Sequence, residues 1–330
     1  MKSFKRACLS GISPRTWEHP ADKAALSALR SITGFDKALE TILGFTSEKS
    51  IRLAHLASCI RVSERQMPKV HSLLKEACNI LDYNEIPELF VAESPILNAG
   101  AVGFKKPFIV LNSSLVNSLT DEELLCIIGH ELGHCISGHA LYATMLTILI
   151  QVSQSVSGIP LTGIALQAVI AALREWQRKS ELSADRAGLL VVQDPEISYK
   201  LLIRLSGGKD LNSVDINEFF IQAAEYQNTE NFSDSVFKFL NTIGATHPFP
   251  VIRLTELKTW VDNGSLGRVL GGYYDKSSEG KAKVTEDFKD AANSYRSDFQ
   301  KTGDTVENVY KKVVDNAQKA KETIENFFKK

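Results

Sequence analysis

The sequence predicts an α+β fold that is predominantly α-helical, with one small mixed sheet. Apolar residues recur at helical spacing over residues 21–43, over 68–81 and again after Thr120. Between Glu88 and Leu111 the pattern shortens to brief apolar runs punctuated by Pro95, Gly103 and Pro107, the signature of strands. At 330 residues, 44% of them hydrophobic, the chain has enough apolar mass for one large core with appendages.

Residues 1–84 read as an N-terminal helical region. Lys2, Lys5 and Arg6 have no apolar stretch behind them, so no signal peptide and a cytoplasmic location are expected. Ala24, Leu26, Leu29 and Ile32 share one helix face, and Gly34 separates that helix from a second. Pro68 opens the next helix, whose apolar positions are Val70, Leu73, Leu74, Ala77 and Ile80. Residues 85–264 form the next unit. Its strands are expected at 89–92, 98–103 and 108–111, and the capping box Thr120/Glu123 places a helix start at Asp121.

From Leu132 to Leu173 the chain carries no Asp, Glu, Lys or Arg. The segment is too often interrupted by Thr, Ser, Gln and Gly-Ile-Pro to span a membrane, so 141–173 reads as an inserted helical hairpin that packs on protein or dips into a membrane surface. Residues 265–330 read as an amphipathic helical tail, with apolar rows repeating every 11 residues (Val284, Tyr295, Val306, Ala317, Phe328). The hairpin and the tail are the candidates for peripheral membrane contact or for self-association into a homo-oligomer.

Net charge is −1, from 38 basic and 39 acidic residues, with no basic block, so no nucleic-acid partner is expected. Five scattered cysteines without a C-x-x-C pair read as reduced thiols.

The chemistry resides in His130-Glu131-Leu132-Gly133-His134, an H-E-x-x-H on the helix begun at Asp121. Histidines four apart lie on one helix face and can reach one metal ion, while Glu131 can take a proton from metal-activated water. The competing reading is a pair of histidines that merely pack. A catalytic zinc site needs a third protein ligand. His139 is the nearest candidate, but five residues past His134 it faces about 140° away on the helix; an ordinary polar contact is expected for it. Glu181 is the better candidate. Glu181 and Asp185 are i and i+4 on a second helix, so one can bind metal while the other accepts a hydrogen bond from a ligand histidine. Their alternative is a solvated face pairing with Lys179 and Arg186.

These residues resemble the gluzincin-type zinc metallopeptidases that include the CAAX prenyl endopeptidases and the HtpX-type heat-shock proteases, and more closely their soluble bacterial relatives. The likeness rests on the H-E-x-x-H, on Glu181 to Asp185, on Asn98-Ala99, and on Thr246-His247-Pro248 with Arg253 downstream, in family order. It implies a zincin-like core with two zinc-binding helices and one Zn²⁺ held by His130, His134 and Glu181. It also implies Glu131 as general base and Asp185 hydrogen-bonded to a ligand histidine. Asn98 and Ala99 would lie on an edge strand pairing with an extended polypeptide substrate, and His247, with Arg253 near it, would stabilise the oxyanion. Gly100 departs from the bulky residue frequent after Asn-Ala in the family. The resemblance thus implies a zinc endopeptidase. The alternatives are a catalytically idle, zinc-containing polypeptide-binding or chaperone-like protein, and a membrane-surface adaptor built on the hairpin and tail. Glu131 favours the enzyme, since a binding module needs no general base.

Overall fold

The computed structural model describes residues 6–30, 47–155, 160–207, 211–227 and 249–276. Of the expected features, the end of the first N-terminal helix with Ile32, the second helix after Gly34, the Thr246-His247-Pro248 motif, the 156–159 turn of the hairpin and the tail beyond residue 276 lie outside the described residues.

Three helices precede or flank the first strands: α1 (Pro20–Arg30), α2 (Glu48–Ser58) and α3 (Pro68–Ile80). The strands are β1 (Ile60–Arg61), β2 (Leu89–Ala92), β3 (Ala99–Val102) and β4 (Phe108–Asn112), in sheet order β1-β2-β4-β3. Their pairing is antiparallel, parallel and antiparallel across that order, so the sheet is mixed, and β3 is one of its edges. The short α4 (Ser113–Ser118) leads to α5 (Asp121–Ile136). Both hydrogen bonds of the Thr120/Glu123 capping box form at the start of α5, which satisfies two backbone donors there and is worth ~1 kcal/mol.

α5 does not run on past His134 for long. Gly138 takes a left-handed conformation, φ 72°, and ends it. The next helix, α6 (His139–Ser155), leaves at 88° to α5. α7 (Pro160–Val192) then runs 33 residues without a break. The second arm of the expected hairpin is therefore continuous with the helix that carries Glu181 and Asp185. α8 (Pro195–Leu205), α9 (Ile216–Gln227), α10 (Pro250–Asp262) and α11 (Ser265–Leu270) complete the described chain.

Two apolar clusters hold these elements together. The larger joins the inner face of the sheet to α3, α5, the C-terminal half of α7, α8, α10 and α11. Leu266 and Val269 are buried in it, so the first residues of the expected tail are core residues. The smaller cluster joins Ala25 and Leu29 of α1 to Tyr142, Met145 and Leu149 of α6 and to Ile170, Leu173 and Trp176 of α7. The uncharged hairpin, as far as its side chains are described, thus presents an apolar face to α1. No single helix among the described residues is long and apolar enough to cross a membrane.

The N-terminal segment is tied down on both sides of these clusters. Arg6 pairs with Glu76 of α3 at 2.6 Å and with Glu122 of α5. Fully buried Trp17 donates its indole N–H to Ser137 Oγ at the bend between α5 and α6.

Candidate metal centre

α5 and α7 touch through residues that lack a side chain. A Cβ added at Gly133 would stand 2.6 Å from Ala187 Cβ, one at Gly129 2.7 Å from Val191 Cβ, and one at Gly188 2.8 Å from the Cys126 carbonyl oxygen. The small residues of both helices therefore bring their backbones together where the polar residues face each other.

In that contact lie His130, Glu131 and His134 of α5 and Glu181 and Asp185 of α7, all buried. The Nε2 atoms of His130 and His134 are 3.2 Å apart. Glu181 reaches both, with Oε2 3.4 Å from His130 Nε2 and Oε1 3.3 Å from His134 Nε2. Two corners of a tetrahedron with metal–ligand bonds of about 2.0–2.1 Å would be about 3.4 Å apart, close to the 3.2 Å between the imidazole nitrogens, and one Glu181 oxygen faces each of them, so the donor set suits one small divalent cation. Among the described residues, His130, His134 and Glu181 form a buried group able to hold a metal. With Glu181 only 2% exposed and Asp185 8%, the solvated pairing with Lys179 and Arg186 does not form.

Each histidine is held from behind, by different partners. His130 Nδ1 lies 3.1 Å from Asp185 Oδ1. Arg253, from α10, grips the same carboxylate through Nε at 2.8 Å and a terminal nitrogen at 2.5 Å, and lies 3.6 Å from Glu181. Burial works against the Asp185 charge, but Arg253 outweighs it and holds the carboxyl down at about 2. Burial likewise opposes a proton on His130, yet Asp185 and Glu181 outweigh it and raise this imidazole to about 10. A pair of carboxylates that attracts a proton there attracts a divalent cation in its place.

His134 Nδ1 lies 3.0 Å from His139 Nδ1, and His139 Nε2 lies 3.0 Å from Asp22 Oδ2 on α1. Burial lowers His134 to about 4, so it is neutral at neutral pH, as a ligand must be. Burial opposes the charge on Asp22 too, and the hydrogen bonds from His139 and Ser183 outweigh it, keeping its carboxyl below the usual range.

Glu131 is enclosed beside the three donor atoms. Burial pushes its carboxyl up to about 7, with the Glu181 charge adding to the rise, while His130, Arg253 and a backbone hydrogen bond from Ala101 of β3 work against it. That hydrogen bond places the edge strand directly over the centre.

The structure thus brings together His130, Glu131, His134, Glu181 and Asp185. Exposed Asn98 immediately precedes β3, and half-buried Ala99 begins it, on the sheet edge. Arg253, expected beside the oxyanion, is instead buried with its guanidinium committed to Asp185, because a buried carboxylate demands a charged partner. His247 lies outside the described residues. Two residues escaped the sequence reading. His139 does make a polar contact, but to His134 itself, because the turn at Gly138 cancels the helical-wheel argument; the Ser-Gly pair before it was the available signal. Asp22 carries no signal, since only the docking of α1 brings it here.

Comparison with known proteins agrees with this centre. Residues 64–261 match peptidase family M48. The chain is 34% identical over 250 residues to plastoglobule-localized metallopeptidase 48 of Arabidopsis thaliana chloroplasts, covering 74% of this chain and 72% of that protein. It is 25% identical over 228 residues to protease HtpX homolog 2 of Methanosarcina acetivorans, covering 60% and 74%. A protease HtpX homolog of Moorella thermoacetica is 23% identical over 231 residues, covering 60% and 73%. The family match takes in β2 to α10, and with them every residue of the buried His-His-Glu group, so the chain belongs to the metallopeptidases of family M48.

Proposed function

We propose that the protein is a zinc-dependent endopeptidase that cleaves extended polypeptide, with His130, His134 and Glu181 as the metal ligands and Glu131 as general base. The observation that carries this reading is the buried group of His130, His134 and Glu181, with the two imidazole nitrogens 3.2 Å apart, a Glu181 oxygen 3.3–3.4 Å from each, and the Glu131 carboxyl buried beside them. A Zn²⁺ held there would supply a Lewis acid that polarises the scissile carbonyl and lowers the pKa of water toward ~7.

Glu131 takes a proton from the attacking water and returns it to the leaving amine. A carboxyl near 7 suits both tasks, since it is neither too weak a base to accept the proton nor too weak an acid to deliver it. Asp185 orients His130 and keeps its Nε2 turned to the donor triangle, and Arg253 acts through Asp185 rather than on substrate. Ala99 and its neighbours on β3 offer an edge to which an extended chain can add as a further strand. Exposed Ile96 and Leu97 lie immediately before that edge and offer apolar contact to the same chain. His247 is the donor we assign to the developing oxyanion, on the family likeness of its Thr-His-Pro motif.

The test is Glu131→Gln. It keeps the shape of the side chain and removes only its capacity to take up a proton. The purified variant should retain stoichiometric zinc by elemental analysis while cleavage of an unfolded protein, followed by mass spectrometry, disappears. Cleavage at the wild-type rate by Glu131→Gln would overturn the mechanism.

A further inference from the structure

Asp22 lies in the first turn of α1, where an acidic residue ordinarily meets solvent, yet it is 3% exposed. Its Oδ2 accepts the Ser183 hydroxyl at 2.7 Å and stands 3.0 Å from His139 Nε2. His139 Nδ1 stands 3.0 Å from His134 Nδ1, and His134 Nε2 faces His130 and Glu181. Protons can be placed along this line in few self-consistent ways. A carboxylate only accepts, so the proton between Asp22 and His139 sits on His139 Nε2. In a neutral His139 the other nitrogen is then a lone pair, and His134 must donate to it from Nδ1. His134 Nε2 is left as a lone pair, directed at the donor triangle. The opposite arrangement, His139 donating through Nδ1, would move the His134 proton to Nε2, where it blocks a cation.

We propose that Asp22 is a positioning residue of the metal centre, selecting through His139 the tautomer in which His134 Nε2 presents its lone pair. This rests on the reading of His130, His134 and Glu181 as metal ligands. Docking of α1 does not account for the carboxylate by itself. Ala25 and Leu29 already bury the apolar face of α1 against α6 and α7, and a buried charge is costly unless a partner repays it.

Zinc alone, competed against a chromophoric chelator on the full chain, is the probe. Asp22→Leu, which removes the acceptor, should weaken zinc binding by about 10–100-fold, the range for a lost partner of a ligand histidine. In ¹⁵N-histidine-labelled protein, the His134 Nδ1–H proton should be downfield in the wild type and move upfield in Asp22→Leu. Leu29→Ala, which loosens α1 without touching the polar line, should lower the melting temperature and keep wild-type affinity. His139→Gln offers one acceptor and one donor in the required order, so it should hold zinc more tightly than His139→Leu; this pair decides the matter if Asp22→Leu does not fold. Wild-type affinity and an unmoved His134 resonance in Asp22→Leu would overturn the proposal. So would equal affinity of the two His139 variants, or a Leu29→Ala variant that loses as much zinc as Asp22→Leu. A wild-type protein that binds no zinc would instead sink the metal-centre reading on which the proposal stands.

Discussion

His130 and His134 lie one turn apart on the same helix, but they are braced in opposite ways. Behind His130 stands a carboxylate in direct contact, clamped by an arginine from α10, with both charges buried. Behind His134 stands a second imidazole, and only beyond it a carboxylate from α1. The first brace is short and ionic. The second is longer, depends on how protons are ordered, and draws on a part of the chain more than a hundred residues upstream. The two histidines of one candidate centre therefore depend on different parts of the fold, and they should fail differently.

The largest effect concerns what the braces have in common. His134→Ala should abolish both zinc content and cleavage, whereas Glu131→Gln should retain zinc while cleavage falls by at least about 10²–10⁴-fold, the usual value of a general base. Metal analysis alongside rate measurement separates the two.

Next comes the ionic brace. Arg253→Ala leaves the Asp185 carboxylate buried without its guanidinium partner, and breaking such a pair should destabilise the fold by about 3–5 kcal/mol. Denaturant unfolding reads that loss, and a change below ~1 kcal/mol would show that Asp185 does not need Arg253. Asp185→Asn is milder. It keeps an acceptor for His130 and should weaken zinc by about 10-fold, the lower end of the range for such partners, in a chelator competition.

The smallest expected effect marks the brace through α1. His19, whose backbone N–H bonds Ser183 beside Asp22, is held below its ordinary pKa of 6.5 by burial, against the opposing pull of Glu256. Below pH 6.5 the unfolded chain takes up a proton that folded His19 resists, so this stabilisation is complete above 6.5 and is lost as pH falls toward the lowered folded value. His19→Gln should flatten the pH dependence of unfolding below 6.5. A variant with the wild-type profile would remove His19 from the account.

Much of the first brace was legible in the sequence, and little of the second. The H-E-x-x-H spacing and the i, i+4 pair Glu181/Asp185 are local patterns on helices, and a helix turns local spacing into geometry. The sheet was legible for the same reason, because β2, β3 and β4 occupy the three apolar runs that Pro95, Gly103 and Pro107 separate, almost to the residue. Arg253 was singled out, but its target was not, since which carboxylate a cation finds is decided by how α10 packs. His139 makes the polar contact expected of it, and only its partner, His134, is hidden from the helical wheel because Gly138 turns the chain within the motif. Asp22 could not be found at all. Nothing within its own helix distinguishes it from any acidic residue at a helix start.

The close approach of α5 and α7 through Gly129, Gly133 and Gly188 has a bearing on the centre itself. Gly129 and Gly133 there receive the side chains of Val191 and Ala187, and Gly188 rests on the Cys126 carbonyl. The distance between the two helices is thereby set by the absence of three side chains. A cation of Ca²⁺ size, which takes six to eight oxygen ligands at about 2.3–2.6 Å, is poorly matched to two imidazoles and one carboxylate. Gly129 and Gly133 directly precede His130 and His134, so a methyl group added at either position would shift the imidazole beside it.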